Sequence, residues 1–339
     1  MKRIVFLFSC LALAQPAFAA WAQDARDPGG VQAAHIHLLW LVMLAVTTIV
    51  SAAVLIAFLI PLWRAPRGNE ETPPDPEAPL REERGASRSV IVAAVISVIG
   101  LFGLLVASVA TDRALAHLPL DNGISLEMTG HQWWWEVRYT DANASKEFST
   151  ANELHIPVGR PVTITLKADD VIHSFWVPNL HGKKDMIPGR DSIIQLRADR
   201  PGTYRGQCAE FCGYQHAYMA LVVTAEPAAD FDKWKQAQVA SAAAPTDALR
   251  TQGQQVFLTS TCMMCHAIQG TTANARKAPD LTHVASRPTL ASGALPNTPD
   301  NLKNWIADPQ KIKPGVNMPA TALAEEDLRA LVAYLSGLK

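Results

Sequence analysis

At roughly 150 residues per domain, a chain of 339 residues holds about two domains, which excludes a single small module. Its 30 Lys and Arg nearly balance 31 Asp and Glu, for a formal net charge of −1, so composition gives no electrostatic basis for a nucleic-acid partner. Hydrophobic residues make up 49% and charged residues only 18%, and the apolar excess is gathered near the N-terminus, which points to a membrane.

Lys2 and Arg3 precede an apolar run over 4–14, followed by Gln15, Pro16 and small residues over 17–20. The run is shorter than the ~20 residues a bilayer span needs, and its flanks predict a cleaved secretory signal over 1–22. Two further stretches, 38–60 and 90–110, are apolar and uncharged over spanning length. They predict the two helices of a transmembrane hairpin over 32–112. The loop between them, 61–89, carries Arg64, Arg67, Arg81, Arg84 and Arg88, and the positive-inside tendency puts it on the cytoplasmic side. Everything from Asp112 onward then lies outside, as an export signal also requires.

Residues 123–225 alternate apolar and polar side chains, as in Val162-Thr163-Ile164-Thr165-Leu166-Lys167, between turns marked by Pro157, Gly159, Pro178, Pro188, Gly189, Pro201 and Gly202. Short strands with such punctuation predict a β-sandwich or barrel. The Ala- and Gln-rich segment 226–246 contains one short helical stretch and reads as a linker. Helical spacing over 247–258 and 325–338, around a Pro-rich middle, predicts a small helical domain over 247–339.

Cys10 leaves with the signal, and the other cysteines form two close pairs. In an exported protein a close pair is ordinarily a disulfide, but here each pair keeps the company of metal-binding residues. Cys208, Cys212, His216 and Met219 offer two thiolates, an imidazole and a thioether, a soft set that suits copper, with zinc as competitor. A mononuclear blue copper site takes one Cys, two His and a weak axial Met; a second thiolate can instead bridge two coppers. His173, in the apolar run Val171-Ile172-His173-Ser174-Phe175-Trp176, would supply the further imidazole, although alone it reads as a core histidine. The second pair, Cys262-Met263-Met264-Cys265-His266, has the attachment spacing for c-type haem: two thiols for thioethers and an imidazole for the iron.

Gly130-His131-Gln132-Trp133-Trp134-Trp135, the stretch 171–178, Lys183-Lys184-Asp185-Met186-Ile187-Pro188-Gly189-Arg190 and the loop 208–219 together resemble subunit II of the haem-copper cytochrome c oxidases, over about 32–224. The resemblance implies a multidomain membrane protein in which a two-helix transmembrane hairpin carries a cupredoxin-like β-sandwich with the dinuclear copper A centre. Cys208 and Cys212 match its bridging thiolates, His173 and His216 its imidazoles, Met219 its thioether, and Glu210 its backbone carbonyl ligand. Trp133 matches the aromatic through which electrons arrive. The Glu210 side chain matches a magnesium ligand shared with subunit I, Asp185 and Arg190 match polar residues of that interface, and Asp169 and Asp170 resemble acidic docking positions for a donor.

Residues 247–339 resemble the all-α class I cytochromes c, in which the first and last helices cross. Met318, in Asn317-Met318-Pro319, matches the distal haem ligand; Gly253, Phe257, the helix over 328–338 and, more weakly, Ala278-Pro279-Asp280-Leu281 also fit. The fusion is that of the caa-type oxidases, in which the cytochrome is a tethered donor to copper A. It implies a respiratory oxidoreductase whose oxygen chemistry resides in subunit I, with haem a and the haem-copper site. Further implied partners are subunit III, cytochrome c or another donor, and lipid, in a bacterial inner membrane with the C-terminal region on the periplasmic side. Two other readings stay open: the relay subunit of a copper A nitric oxide reductase, and a copper-binding or copper-delivery protein, for which covalent haem has no use.

Overall fold

The computed structural model describes residues 23–65, 84–116 and 122–339, with the isolated positions 68 and 73. The expected signal over 1–22 and most of the arginine-bearing loop, including Arg67 and Arg81, lie outside the described residues.

Two long helices come first, α1 (Val31–Arg64) and α2 (Arg84–Ala116), and they contain the expected spans. At 1.5 Å per residue each is ~50 Å long, more than a hydrocarbon core of ~30 Å requires. Their apolar side chains face outward: Ile49, Val54, Phe58 and Leu62 on α1, and Val90, Ile96, Ile99 and Phe102 on α2, are all exposed. An apolar surface of this extent is stable in lipid and not in water. The start of α1 is fixed to the sandwich instead. Gln32, fully buried, donates through Nε2 to the Gln195 carbonyl (3.0 Å) and accepts from the Arg197 N–H (3.2 Å), while the Ala33 N–H reaches the Leu180 carbonyl (3.2 Å).

The sandwich consists of two five-stranded sheets. One has the order β3 (Phe148–Ala151), β2 (Trp134–Tyr139), β1 (Ile124–His131), β5 (Val162–Ala168) and β8 (Ser192–Leu196). The other has the order β4 (Glu153–Pro157), β10 (Ala220–Glu226), β9 (Gly202–Cys208), β6 (His173–Trp176) and β7 (Lys184–Met186). β1 with β5 and β4 with β10 run parallel, and the remaining pairs antiparallel. Period-two patterning does its work here: Leu126 and Met128 on β1, and Val162, Ile164 and Leu166 on β5, fill the space between the sheets while their neighbours face out.

Within the expected linker, residues 228–239 form α3 (Ala228–Val239), and this helix is fastened to the sandwich. Phe231 is buried in the sandwich core, and Trp234 stacks on His155 at 4.0 Å and meets Tyr139 edge-on at 5.2 Å.

The last region contains α4 (Ala248–Thr259), a short hairpin of β11 (Thr289–Leu290) and β12 (Leu295–Pro296), α5 (Pro299–Ala307), α6 (Pro309–Ile312) and α7 (Glu325–Leu335). Asp247 caps α4 by accepting from the Arg250 N–H at 2.8 Å, and Thr298 caps α5 ahead of a Pro at its first turn. α4 and α7 cross at Gly253, where an added Cβ would sit 2.0 Å from the Ala330 carbonyl oxygen, so only glycine permits this approach. Around the crossing, Phe257, Ile268, Leu302, Ile306, Leu328 and Leu331 form a second core.

Candidate metal centre and haem-attachment turn

β9 ends at Cys208, whose N–H donates to the Met219 carbonyl at 3.0 Å and so closes the base of the loop that follows. The Ala209 N–H donates to the Ser174 carbonyl at 3.0 Å, which ties that base to β6 and brings His173 alongside. All six expected donors thereby converge. The Cys208 and Cys212 sulfurs are 3.7 Å apart, His173 Nδ1 is 3.9 Å from Cys208 Sγ, and His216 Nδ1 is 3.7 Å from Cys212 Sγ. Met219 Sδ lies 3.8 Å from Cys212 Sγ and the Glu210 carbonyl oxygen 3.2 Å from Cys208 Sγ. Both thiols, His173 and Met219 are buried, whereas His216 sits on a partly exposed turn.

The neighbours of these donors set their orientation and charge. Asp170 Oδ1 is 2.8 Å from His173 Nε2; a carboxylate only accepts, so Nε2 carries a proton and Nδ1 faces the sulfurs. Asp170 in turn accepts from the Gln132 N–H (2.6 Å) and the Val171 N–H (2.7 Å). Gly130 makes room for the ring, since a Cβ there would lie 2.8 Å from His173 Cδ2. Burial disfavours the charged imidazole, but the Cys208 sulfur and the Asp170 carboxylate outweigh it and raise the His173 pKa. Cys208 is held far below the ordinary thiol range, at about 3, chiefly by the adjacent Cys212 thiol and, against the opposing effect of burial, by His173 and the backbone at Glu210 and Ser174. The shared proton and burial push Cys212 up. The pair therefore releases its first proton readily and its second only to a strong competitor such as a metal ion.

The three consecutive tryptophans have separate places. Trp133 Nε1 donates to the Cys212 carbonyl at 2.9 Å, beside Gln132 Nε2 at 2.8 Å. Trp135, fully buried, donates through Nε1 to the Met219 carbonyl at 3.3 Å and packs near His173. Trp134 stacks on His131 at 4.3 Å, away from the sulfurs. Glu210 is two-sided: its carbonyl faces Cys208, while its carboxylate lies 3.3 Å from Lys183 Nζ, which also holds Asp185 at 2.7 Å. Arg190 is exposed on the turn after β7, where its N–H donates to the Ile187 carbonyl at 3.1 Å. Asp169 is exposed, 3.4 Å from His131 Nδ1.

Cys262 stands on a single 3₁₀ turn, Thr261–Met264, and Cys265 directly follows it, and neither is in a disulfide. His266 Nδ1 is 2.7 Å from the Pro279 carbonyl and donates to it, which leaves Nε2 as the free nitrogen. Burial lowers the His266 pKa and keeps the imidazole neutral, the form that binds a metal. Met318 packs against the same apolar core as Cys262. Two free thiols, a neutral imidazole with one committed nitrogen, and a thioether against an apolar core fit a covalent haem. The soft, buried donor cluster at the tip of the sandwich fits a pair of copper ions.

Comparison with known proteins agrees with both assignments. Residues 124–226 match the family described as the periplasmic domain of cytochrome c oxidase subunit II, and 251–339 match cytochrome c. Cytochrome c oxidase subunit 2 of Alkalihalophilus pseudofirmus is 38% identical over 324 residues, covering 93% of this chain and 90% of that protein. The chain belongs to the cytochrome c oxidase subunit II family. Subunit 2 of Bacillus sp. strain PS3 is 34% identical over 278 residues, 76% of each chain. The crystal structure of the periplasmic domain of subunit II of cytochrome oxidase from Bradyrhizobium japonicum aligns at 29% identity and a TM-score of 0.33, over 36% of this chain and 95% of that one. This subunit II is thus one component of an oxidoreductase complex, a membrane protein with an external domain and a fused cytochrome c.

Several residues at the centre escaped the sequence reading. Asp170 resembles a donor-docking acid, but its carboxylate is taken up by His173 and two backbone N–H groups. Its position three residues before His173 was the available signal. Gly130 and Gln132 lie inside a motif that the tryptophans dominate, and nothing in their residue type points to the copper loop.

Proposed function

We propose that this subunit II passes electrons from an external donor, through haem c and then copper A, to the subunit in which oxygen is reduced. The observation that carries the reading is the donor cluster: two buried sulfurs 3.7 Å apart with an imidazole on each side. In this proposal His173, Cys208, Glu210 through its carbonyl, Cys212, His216 and Met219 hold copper, and Cys262, Cys265, His266 and Met318 hold haem. When bound, the two groups supply one-electron redox chemistry. The protein's part is rigidity: the Cys208–Met219 backbone bond, the Asp170–His173 pair and the buried Trp135 fix the donors, so little rearrangement accompanies a change of charge. Trp133, bonded to the Cys212 carbonyl, is the side chain through which electrons reach the copper loop.

The finer assignments follow from the same surfaces. Phe211, Tyr214 and Tyr218 stand exposed on the copper loop beside the Glu210 carboxylate, and we assign this face to subunit I, with magnesium held there by Glu210. Subunit III and lipid cover the apolar helices in the bacterial inner membrane, with the sandwich on the periplasmic side. The test is the purified complex. It should show covalent haem and a mixed-valence copper signal, and Met318→Ala should keep haem attached while lowering its potential, so that haem c stays oxidised during turnover and oxygen uptake falls. Normal uptake with normal haem reduction in that variant would remove Met318 from the relay.

A further inference from the structure

The relay reading leaves the buried cation Lys313 without a role. Lys313 follows α6 in the cytochrome region and is 2% exposed. Its Nζ donates to the Trp133 carbonyl at 2.8 Å and to the Ala291 carbonyl at 3.2 Å. Trp133 belongs to the sandwich, so this lysine joins the two cofactor-binding regions. Burial pulls its pKa down to about 7.

The loop beyond Lys313 has the same orientation. Gln310 shapes it by donating through Nε2 to the Val316 carbonyl (2.7 Å) and the Met318 carbonyl (3.0 Å), and by accepting from the Gly315 N–H (2.8 Å). Gln215 of the copper loop donates to the Pro314 carbonyl at 2.6 Å. Gly315, at φ +88°, lies against the Trp133 ring, which an added Cβ would touch at 3.7 Å, and Val316 packs on the sandwich core. On their other side Gln132 and Trp133 both donate to the Cys212 carbonyl. A second patch extends the contact: Ser292 Oγ donates to the Ala220 carbonyl (2.9 Å), the Ala220 N–H returns a bond to the Ser292 carbonyl (3.0 Å), and buried Arg287 meets buried Glu153 at 3.7 Å.

We infer that Lys313 is a positioning residue that pins the Met318-bearing loop onto Trp133, so that electrons cross from one fixed docked arrangement and not through repeated collisions of a tethered domain. The inference rests on the relay reading above. A fixed contact makes transfer insensitive to solvent viscosity, whereas a tethered search slows as viscosity rises.

The test uses the purified full chain loaded with both cofactors. In the native protein, flash-triggered transfer from haem c to copper should be unchanged across a glycerol series; slowing in proportion to viscosity overturns the proposal. Lys313→Met keeps an unbranched apolar stem and removes Nζ. It should slow transfer at least tenfold and make it viscosity-dependent, with the copper resonance and haem spectrum unchanged. Hydrogen–deuterium exchange gives a readout apart from electron transfer: peptides covering 130–135 of the sandwich should exchange faster in Lys313→Met, although the substitution lies in the other region. Ser292→Arg, at the second patch, should reproduce both effects. Unchanged transfer and exchange in either fully loaded variant overturns the assignment, and if neither variant loads, the native viscosity series decides. A native protein with no haem-to-copper transfer at all would sink the relay reading instead, while native slow exchange over 130–135 and its loss in Lys313→Met would still report the pin.

Discussion

The copper centre and the haem turn solve the same problem, holding a redox group still, by different means. Cys262, Cys265 and His266 are neighbours in sequence, on and just after a single 3₁₀ turn, and in the proposed function thioether bonds to the two sulfurs would do most of the holding. The proposed copper donors come from β6 and from a loop more than thirty residues later, and hydrogen bonds across a sheet make them meet. A locally encoded site tolerates disturbance of the surrounding fold. One assembled by tertiary structure depends on residues that touch no metal.

That contrast is broken most directly at the sulfurs. Cys208→Ser or Cys212→Ser should abolish the dinuclear copper resonance while the haem remains attached at full stoichiometry; loss of haem in the same variants would mean that the two centres are not independent. Gly253→Ala attacks the other region. With a Cβ forced to 2.0 Å from the Ala330 carbonyl, α4 and α7 must separate, at a cost of about 3 kcal/mol, near the upper end for overpacking. Calorimetry should show the haem-bearing region unfolding earlier, with the copper resonance intact.

A smaller effect sharpens the dependence of the copper centre on its surroundings. Asp170→Ala removes the acceptor that orients His173, and copper affinity should fall by about 10- to 100-fold in chelator competition, with haem content unchanged. An affinity equal to that of the native protein would reduce Asp170 to a surface acid. The smallest effect is expected at Glu210. Only its main-chain carbonyl faces Cys208, so Glu210→Gln should leave the copper resonance as it is and alter only what the carboxylate holds at the outer face.

How much of this was legible beforehand follows the same division. The haem turn could be read from residue order, and so could the two apolar helices and the period-two strands, because each depends on spacing within one segment. Cys208, Cys212, His216 and Met219 announced a soft metal site as a group, whereas His173 gained meaning only in conjunction with that group, since an isolated histidine in an apolar strand is ambiguous. Gly130 and Lys313 act through contacts with segments distant in sequence, and a lone glycine or lysine carries no mark of such a contact, whereas Asp170 sits three residues before His173 and was legible only in that spacing. The segment 226–246 shows the converse. Its composition suggests a linker, but Phe231 and Trp234 supply enough apolar surface to fasten its helix to the sandwich.

The helix α3 has a consequence for where electrons can go. With residues 228–239 held on the sandwich, the stretch between α3 and α4 is 240–247, eight residues, which extended to ~3.5 Å each spans no more than ~28 Å. Even undocked, the cytochrome region stays on this short leash. A tether this short keeps the cytochrome region beside the sandwich of its own chain, which is therefore its nearest acceptor at every moment.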